Sequence, residues 1–189
     1  MKRVISIHGW GGYPDEGWRP WLRKELDKNN IVLVNPEMPE TETPTLQKWV
    51  SHLSSTIGVP DKDTCLVGHS LGCITILRYL ETLKDDQGIG GAILVAGFGK
   101  DLEYDGYKGE LSSFFKDPID WEKIKKHSGK FFIVYSDNDP FVPKQYADEL
   151  GEKLNVAPIV QHNMKHFSGD DGITKLPIAR DLILEMAND

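Results

Sequence analysis

The clearest chemical signal in the chain is Gly68-His69-Ser70-Leu71-Gly72, which follows the apolar run Cys65-Leu66-Val67 and precedes a stretch with helical periodicity. Ser70 therefore falls on a tight turn from strand to helix. On such a turn the serine backbone is strained and its hydroxyl is held clear of the sheet. The flanking positions must be small, because a side chain at Gly68 or Gly72 would collide with the neighbouring strand or block a substrate's approach. The chemistry on offer is nucleophilic attack by a hydroxyl. A serine hydroxyl is a weak nucleophile at neutral pH, so the reading demands an imidazole to take its proton and a carboxylate to fix the imidazole's tautomer.

On a strand–turn–helix scaffold of this kind the acid follows the serine and the histidine follows the acid. The strand-like run Phe131-Phe132-Ile133-Val134-Tyr135 ends in Ser136-Asp137-Asn138-Asp139-Pro140-Phe141-Val142-Pro143. A carboxylate just past a buried strand's carboxyl end is where the acid belongs, and Asp137 and Asp139 both qualify. An aspartate left unused there serves as a turn residue bonded to its own backbone. Of the six histidines, only His162 and His166 lie beyond this loop. His162 ends the last apolar run, Pro158-Ile159-Val160, and reads as a strand-end or surface residue. His166 stands four residues on, in a loop able to fold back over the serine, and is the favoured base.

The tetrahedral oxyanion of acyl transfer needs two N–H donors, one after the nucleophile and one from the loop after the first strand. Val4-Ile5-Ser6-Ile7 leads into the glycine-rich turn His8-Gly9-Trp10-Gly11-Gly12. The backbone N–H groups of Trp10 and Leu71 are the candidates. His8 and His69 adjoin this backbone but lack the chain order of the base, and both read as structural hydrogen-bonding residues. Trp10, Phe98, Phe141 and Phe167 flank the expected site and suggest an apolar substrate pocket, although core packing explains each of them too.

Six apolar runs, at residues 3 to 8, 30 to 35, 64 to 69, 91 to 96, 130 to 136 and 157 to 162, alternate with helical patterns. Their near-continuous hydrophobicity argues for strands covered on both faces, hence a mostly parallel six-stranded sheet in an α/β layer fold. Apolar stripes predict helices over 18 to 29 and 45 to 57, along Leu71, Ile74, Leu77, Leu80 and Leu83, and over 119 to 127, 143 to 154 and 176 to 187. The helix after Ser70 would aim its positive end at a developing oxyanion. Residues 98 to 118 are the least regular. Gly99, Gly106 and Gly109 lie there among Phe98, Tyr104, Tyr107, Phe114 and Phe115, which fits either a hinged cover over the site or a surface excursion whose aromatics fill the local core.

At 189 residues the chain fits a single domain, 1–189, too short for a separate lid domain. A hydrophobic share of 39% against 27% charged is ordinary for a globular protein, and no disorder signature dominates. With 22 Lys and Arg against 29 Asp and Glu, the formal charge is −7, which repels a phosphate backbone, so no nucleic-acid partner is expected. No apolar stretch approaches the ~20 residues that span a membrane, so none is expected as a partner. The run after Met1-Lys2-Arg3 stops at His8-Gly9 with no cleavage site, so a cytoplasmic protein is expected. Cys65 and Cys73 read as small buried residues rather than a disulfide or metal site, and no His-Glu-x-x-His motif is present. Gly9-x-Gly11-Gly12 is not a dinucleotide fingerprint, since Pro14 occupies the third glycine's position. No cofactor and no metal are expected. A monomer is the default, with no sequence signal for assembly.

Together these residues resemble the small α/β-hydrolase family that includes retinoblastoma-binding protein 9 and many short bacterial hydrolases. The likeness spans nearly the whole chain. It includes Gly17-Trp18-x-x-Trp21-Leu22-x-Lys24-Glu25-Leu26, Asn35-Pro36-x-Met38-Pro39, the Ser70 segment with Arg78-Tyr79, Trp121-Glu122-Lys123-Ile124, Asp139-Pro140-Phe141-x-Pro143 and His166-Phe167. The resemblance implies a minimal α/β-hydrolase sheet without the two leading antiparallel strands of larger members. It also implies a triad of Ser70, Asp139 and His166, which selects Asp139 over Asp137. The implied activity is hydrolysis of a small-molecule carboxylic ester or related acyl bond through an acyl-enzyme. Amide or peptide-bond hydrolysis by the same triad, and a protein-binding module with little turnover, are the alternatives. One position departs from the pattern: such hydrolases commonly carry glycine just before the histidine, where this chain has Lys165. Its ammonium must point to solvent, or it would lower the histidine's proton affinity. Retinoblastoma-protein binding does not transfer, because the Leu-x-Cys-x-Glu motif credited with it is matched only by Leu71-Gly72-Cys73-Ile74-Thr75, which ends in threonine.

Overall fold

The computed structural model describes residues 2–104 and 106–188. In chain order the elements are β1 (Arg3–Ile7), α1 (Arg19–Asp27), β2 (Val32–Val34), α2 (Leu46–Ile57), β3 (Thr64–His69) and α3 (Leu71–Leu80). They continue as β4 (Gly91–Val95), α4 (Trp121–Lys126), β5 (Phe131–Ser136), α5 (Lys144–Leu154), β6 (Ile159–Gln161) and α6 (Pro177–Asn188). The strands form one sheet in the order β2-β1-β3-β4-β5-β6, and every adjacent pair is parallel. All six expected runs are strands. The two edge strands are only three residues long, shorter than their apolar runs. At the start of β2, Ile31 gives its N–H back to the Leu26 carbonyl at the end of α1 instead of extending the ladder.

Period-two alternation splits the core into two layers. Ile5, Ile7, Leu66, Leu94 and Ile133 face α2, α3, α4 and α5. Val4, Cys65, Val67, Ile93, Val95 and Val134 face α1 and α6. That is why these strands read as unbroken hydrophobic runs. Helix α3 is buried at every residue from Leu71 to Leu80, which explains its apolar character on all sides. Leu71, Cys73 and Thr75 lie inside it with no exposed surface.

From β1 the chain builds outward to β2 and then crosses to β3 on the other side. The carboxyl ends of β1 and β3 therefore border the crevice where the winding direction reverses, the usual ligand position in an open α/β sheet. The loops after β1, β3, β5 and β6 meet at this end of the sheet, and no separate lid domain is present among the described residues.

Candidate active site

β3 delivers Ser70 with φ 52° and ψ −117°, a backbone conformation that a non-glycine residue rarely holds. Two main-chain bonds fix the turn: Ser70 N–H donates to the Val95 carbonyl at 2.9 Å, and Cys73 N–H donates to the Ser70 carbonyl at 2.9 Å. The flanking glycines are required for packing. A Cβ at Gly72 would lie 2.4 Å from the Ile7 carbonyl oxygen on β1, as the strand-collision argument anticipates. One at Gly68 would lie 2.7 Å from the Cys73 nitrogen, so there the obstacle is helix α3 and not a strand. Ser70 lines a cavity of about 560 Å³ together with His166.

The loop after β5 supplies both aspartates, and each has found a histidine. Asp139 Oδ2 lies 2.8 Å from His166 Nδ1, while Asp139 Oδ1 accepts the N–H groups of Phe141 and Val142 at 2.9 Å each. Asp137 Oδ2 lies 2.6 Å from His162 Nδ1, and its Oδ1 accepts the Asn163 N–H at 2.9 Å. That main-chain bond, with His162 second, holds the Asp137 carboxyl below its ordinary range. His162 and Asp137 face solvent, whereas the Asp139 side chain is fully enclosed. The structure thus brings His166 to the cavity, with Asp139 enclosed against its ring, and leaves Asp137 and His162 on the outer surface.

His166 is held by more than its ring. Its N–H donates to Asp171 Oδ2 at 2.9 Å, and Asp171 also receives the Ser168 hydroxyl at 2.9 Å. Its carbonyl accepts from His69 Nε2 at 2.7 Å. Lys165 and Phe167 on either side both take positive φ, 45° and 58°. A left-handed backbone favours glycine, which gives the physical reason for glycine ahead of such a histidine. Lys165 tolerates the position with its N–H bonded to Asn138 Oδ1 at 2.8 Å and its ammonium out in solvent, 3.9 Å from Asp171. Sequence reasoning passed over Asp171 and Asn138. Ser168-x-x-Asp171, a spacing that lets a hydroxyl and a carboxylate cap each other's backbone, was the available signal for the first.

The glycine loop after β1 is tied to segment 38–42. His8 is fully buried; its Nδ1 lies 2.9 Å from the Gly9 carbonyl, and its Nε2 accepts the Met38 N–H at 3.3 Å. Nδ1 therefore carries the proton, and burial lowers the pKa to about 4, so the ring stays neutral. Gly11 N–H donates to the Thr41 carbonyl and the Trp10 indole N–H to the Glu42 carbonyl, both at 3.0 Å. The backbone N–H groups of Trp10 and Leu71 have no protein acceptor among the described residues. Beneath this loop lies Arg19, buried, 3.5 Å from Glu16 and stacked 4.8 Å from the Trp18 ring centre, its pKa lowered to about 10 by burial.

Two groups of residues line the cavity. Trp10, Leu102, Tyr104, Leu111, Phe141 and Val142 are apolar; Gly11, Gly12, Glu16, Ser168, Asp170 and Thr174 are small or polar. Phe141 stands edge-on to His166 at 5.3 Å and to Tyr104 at 5.5 Å. Phe98 and Phe167, expected beside Trp10 and Phe141 in the pocket, are not among its lining residues and have no exposed surface. Phe98 packs in the α3 layer against Phe115, and the left-handed backbone at Phe167 turns its ring into the opposite layer with Trp18 and Leu176. In the stretch 98 to 118, Leu102, Tyr104 and Leu111 line the cavity while Phe98 and Phe114 fill the core. The far end of that loop is fastened by buried Arg78, which donates to the carbonyls of Phe114, Asp117 and Pro118.

Among the described residues no group of three or more His, Cys, Asp or Glu is arranged to hold a metal ion. Cys65 and Cys73 are free and buried, and burial raises both thiol pKa values. No described helix is long and apolar enough to cross a membrane.

A parallel sheet covered on both faces, a strained serine between β3 and α3, and an aspartate–histidine pair delivered to the same crevice define an α/β hydrolase. The chain belongs to the serine hydrolase family, whose sequence model matches residues 4–185. It is 34% identical over 182 residues to YdeN of Bacillus subtilis (strain 168), a match covering 96% of this chain and 94% of YdeN. It is also 27% identical over 169 residues to the serine hydrolase RBBP9 of Rattus norvegicus, covering 89% and 87%. The crystal structure of the B. subtilis ydeN gene product matches at a TM-score of 0.93 and 32% identity over 100% of both chains. Est1E from Butyrivibrio proteoclasticus, at 17% identity and a TM-score of 0.75 over 100% of this chain and 89% of its own, shares the fold.

Proposed function

We propose that this serine hydrolase cleaves a carboxylic ester or a related acyl bond of a small molecule through an acyl-enzyme on Ser70. In this reading Ser70 Oγ attacks the carbonyl carbon as His166 Nε2 takes its proton. Asp139 accepts the Nδ1–H of His166, which fixes the tautomer and stabilises the imidazolium. The N–H groups of Trp10 and Leu71 receive the oxyanion, with the amino end of α3 directed at the same charge. His166 then returns the proton to the leaving group, and a water activated by the same imidazole frees the acid. These groups supply nucleophile, base and oxyanion donors, so the cycle needs no cofactor.

The observation that supports the reading most directly is the 2.8 Å contact of His166 Nδ1 with an enclosed carboxylate, at the border of the cavity that Ser70 also lines. A cavity of about 560 Å³ suits a small molecule, and its apolar group of residues favours a hydrophobic acyl or leaving group. The test is a panel of chromogenic esters and acyl amides of graded length, run beside Ser70→Ala. Hydrolysis of at least one short ester is expected, with loss of several orders of magnitude in kcat on the substitution. Undiminished turnover in Ser70→Ala would refute the mechanism.

A further inference from the structure

We infer that His69, the residue before the nucleophile, is a positioning residue: its ring N–H holds the main-chain carbonyl of His166 and so sets where that imidazole stands. The inference rests on the proposed role of His166 and extends it.

The geometry is specific about the proton. His69 Nε2 lies 2.7 Å from the His166 carbonyl oxygen, which can only accept, so Nε2 carries the hydrogen and Nδ1 is bare. Nδ1 is buried with no partner among the described residues, close to where a side chain on Gly9 would stand. A packing role alone would be met better by an apolar side chain, which would leave no orphaned nitrogen. What an apolar side chain cannot supply is the bond to His166.

That bond completes a three-point grip. Asp139 takes the His166 ring, Asp171 takes its N–H, and His69 takes its carbonyl. The third point differs in kind, because His69 is covalently joined to Ser70. The residue that offers the hydroxyl and the residue that locates the base therefore move as one dipeptide on one strained turn. A shift of Ser70 carries the tether with it, which preserves the hydroxyl–imidazole relation that proton transfer requires.

The charged and titratable groups around the pair are consistent with a neutral tether. His166 lies 5.1 Å from the His69 ring, and Asp139, Asp171 and Lys165 surround it on the loop side. Arg19 and His8 are the further charged or titratable groups that act on His69. Burial, then His166 and Arg19, hold the His69 pKa well below the ordinary histidine range. When His166 takes the serine proton, no second cation faces it across that gap.

The test uses the full chain with His69→Gln, His69→Asn and His69→Leu. The glutamine amide reaches as far as Nε2; the asparagine amide ends near Nδ1 and falls short of the carbonyl. With p-nitrophenyl acetate, His69→Asn and His69→Leu should lose about 10- to 100-fold in kcat with KM little changed, and His69→Gln should recover most of that loss. The downfield resonance of the His166 Nδ1–H bonded to Asp139, followed by NMR, should weaken or move upfield in His69→Asn as that contact loosens, and return in His69→Gln. Melting temperatures identify any variant that fails to fold. Equal kcat and an equal His166 Nδ1–H resonance in His69→Asn and His69→Gln would overturn the tether. If the wild type shows no turnover dependent on Ser70, the proposed function fails, and the NMR comparison still decides the role of His69.

Discussion

Two carboxylate–imidazole pairs join the same two loops. Asp139–His166 and Asp137–His162 have contact distances of 2.8 and 2.6 Å, so the shorter contact belongs to the pair outside the cavity. Distance does not separate them; surroundings do. The side chains of Asp139 and His166 are 0% and 15% exposed, those of Asp137 and His162 41% and 72%. In water a charged pair is screened and contributes little beyond tying its loops together. Enclosed, with two further N–H groups on the carboxylate, the same pair of residue types can stabilise an imidazolium as it forms.

The largest expected difference lies between the histidines. His166→Ala should lower kcat for a chromogenic ester by about a thousandfold or more, while His162→Ala should stay within about twofold of wild type, the level of an ordinary surface substitution. A comparable loss in both would mean that the outer pair takes part in the chemistry. Next come the acids. Asp139→Asn keeps the volume but offers His166 the wrong partner, and kcat should fall by roughly a hundredfold to ten-thousandfold; Asp137→Asn should leave kcat nearly unchanged. Steady-state rates of the two variants at pH 8 decide it.

The smallest effect concerns acid stability and contrasts buried with exposed imidazoles. The pKa of His8 drops from 6.5 to about 4 on folding, and that of His69 is also depressed. Between those values the unfolded chain binds protons that the native state refuses, so stability falls as pH drops from 6.5 toward 4. The melting temperature of His69→Gln should decline less steeply than wild type over this range, and that of His162→Gln should follow wild type. A flattened profile in His162→Gln would show that the exposed ring carries the acid sensitivity.

Much of this arrangement is legible in the sequence because it is governed by short-range rules. Six buried strands announce themselves as apolar runs, and the elbow announces itself through Gly68 and Gly72, whose absent side chains answer to fixed backbone neighbours. The choice between Asp137 and Asp139 is different. Both lie just past β5, and only the fold decides which one turns inward, so residue types alone left the pair open. Phe98 and Phe167 show the same limit. Each adjoins a site loop in sequence, yet the direction of its ring follows from backbone that sequence does not spell out, as the left-handed turn at Phe167 demonstrates. The role of His69 depends on the main-chain carbonyl of His166, which has no side-chain signature, and that of Asp171 left only the Ser168-x-x-Asp171 spacing as a trace.

The close packing of Gly72 on the Ile7 carbonyl, where a Cβ would lie 2.4 Å from the oxygen, has a wider consequence. Strand β1 continues directly into the turn bearing Trp10, and Gly72 lies two residues beyond Ser70, so this one tight seam locks the two turns into register like facing teeth of a gear. Their alignment is settled when the chain folds and does not have to be found again in each reaction cycle.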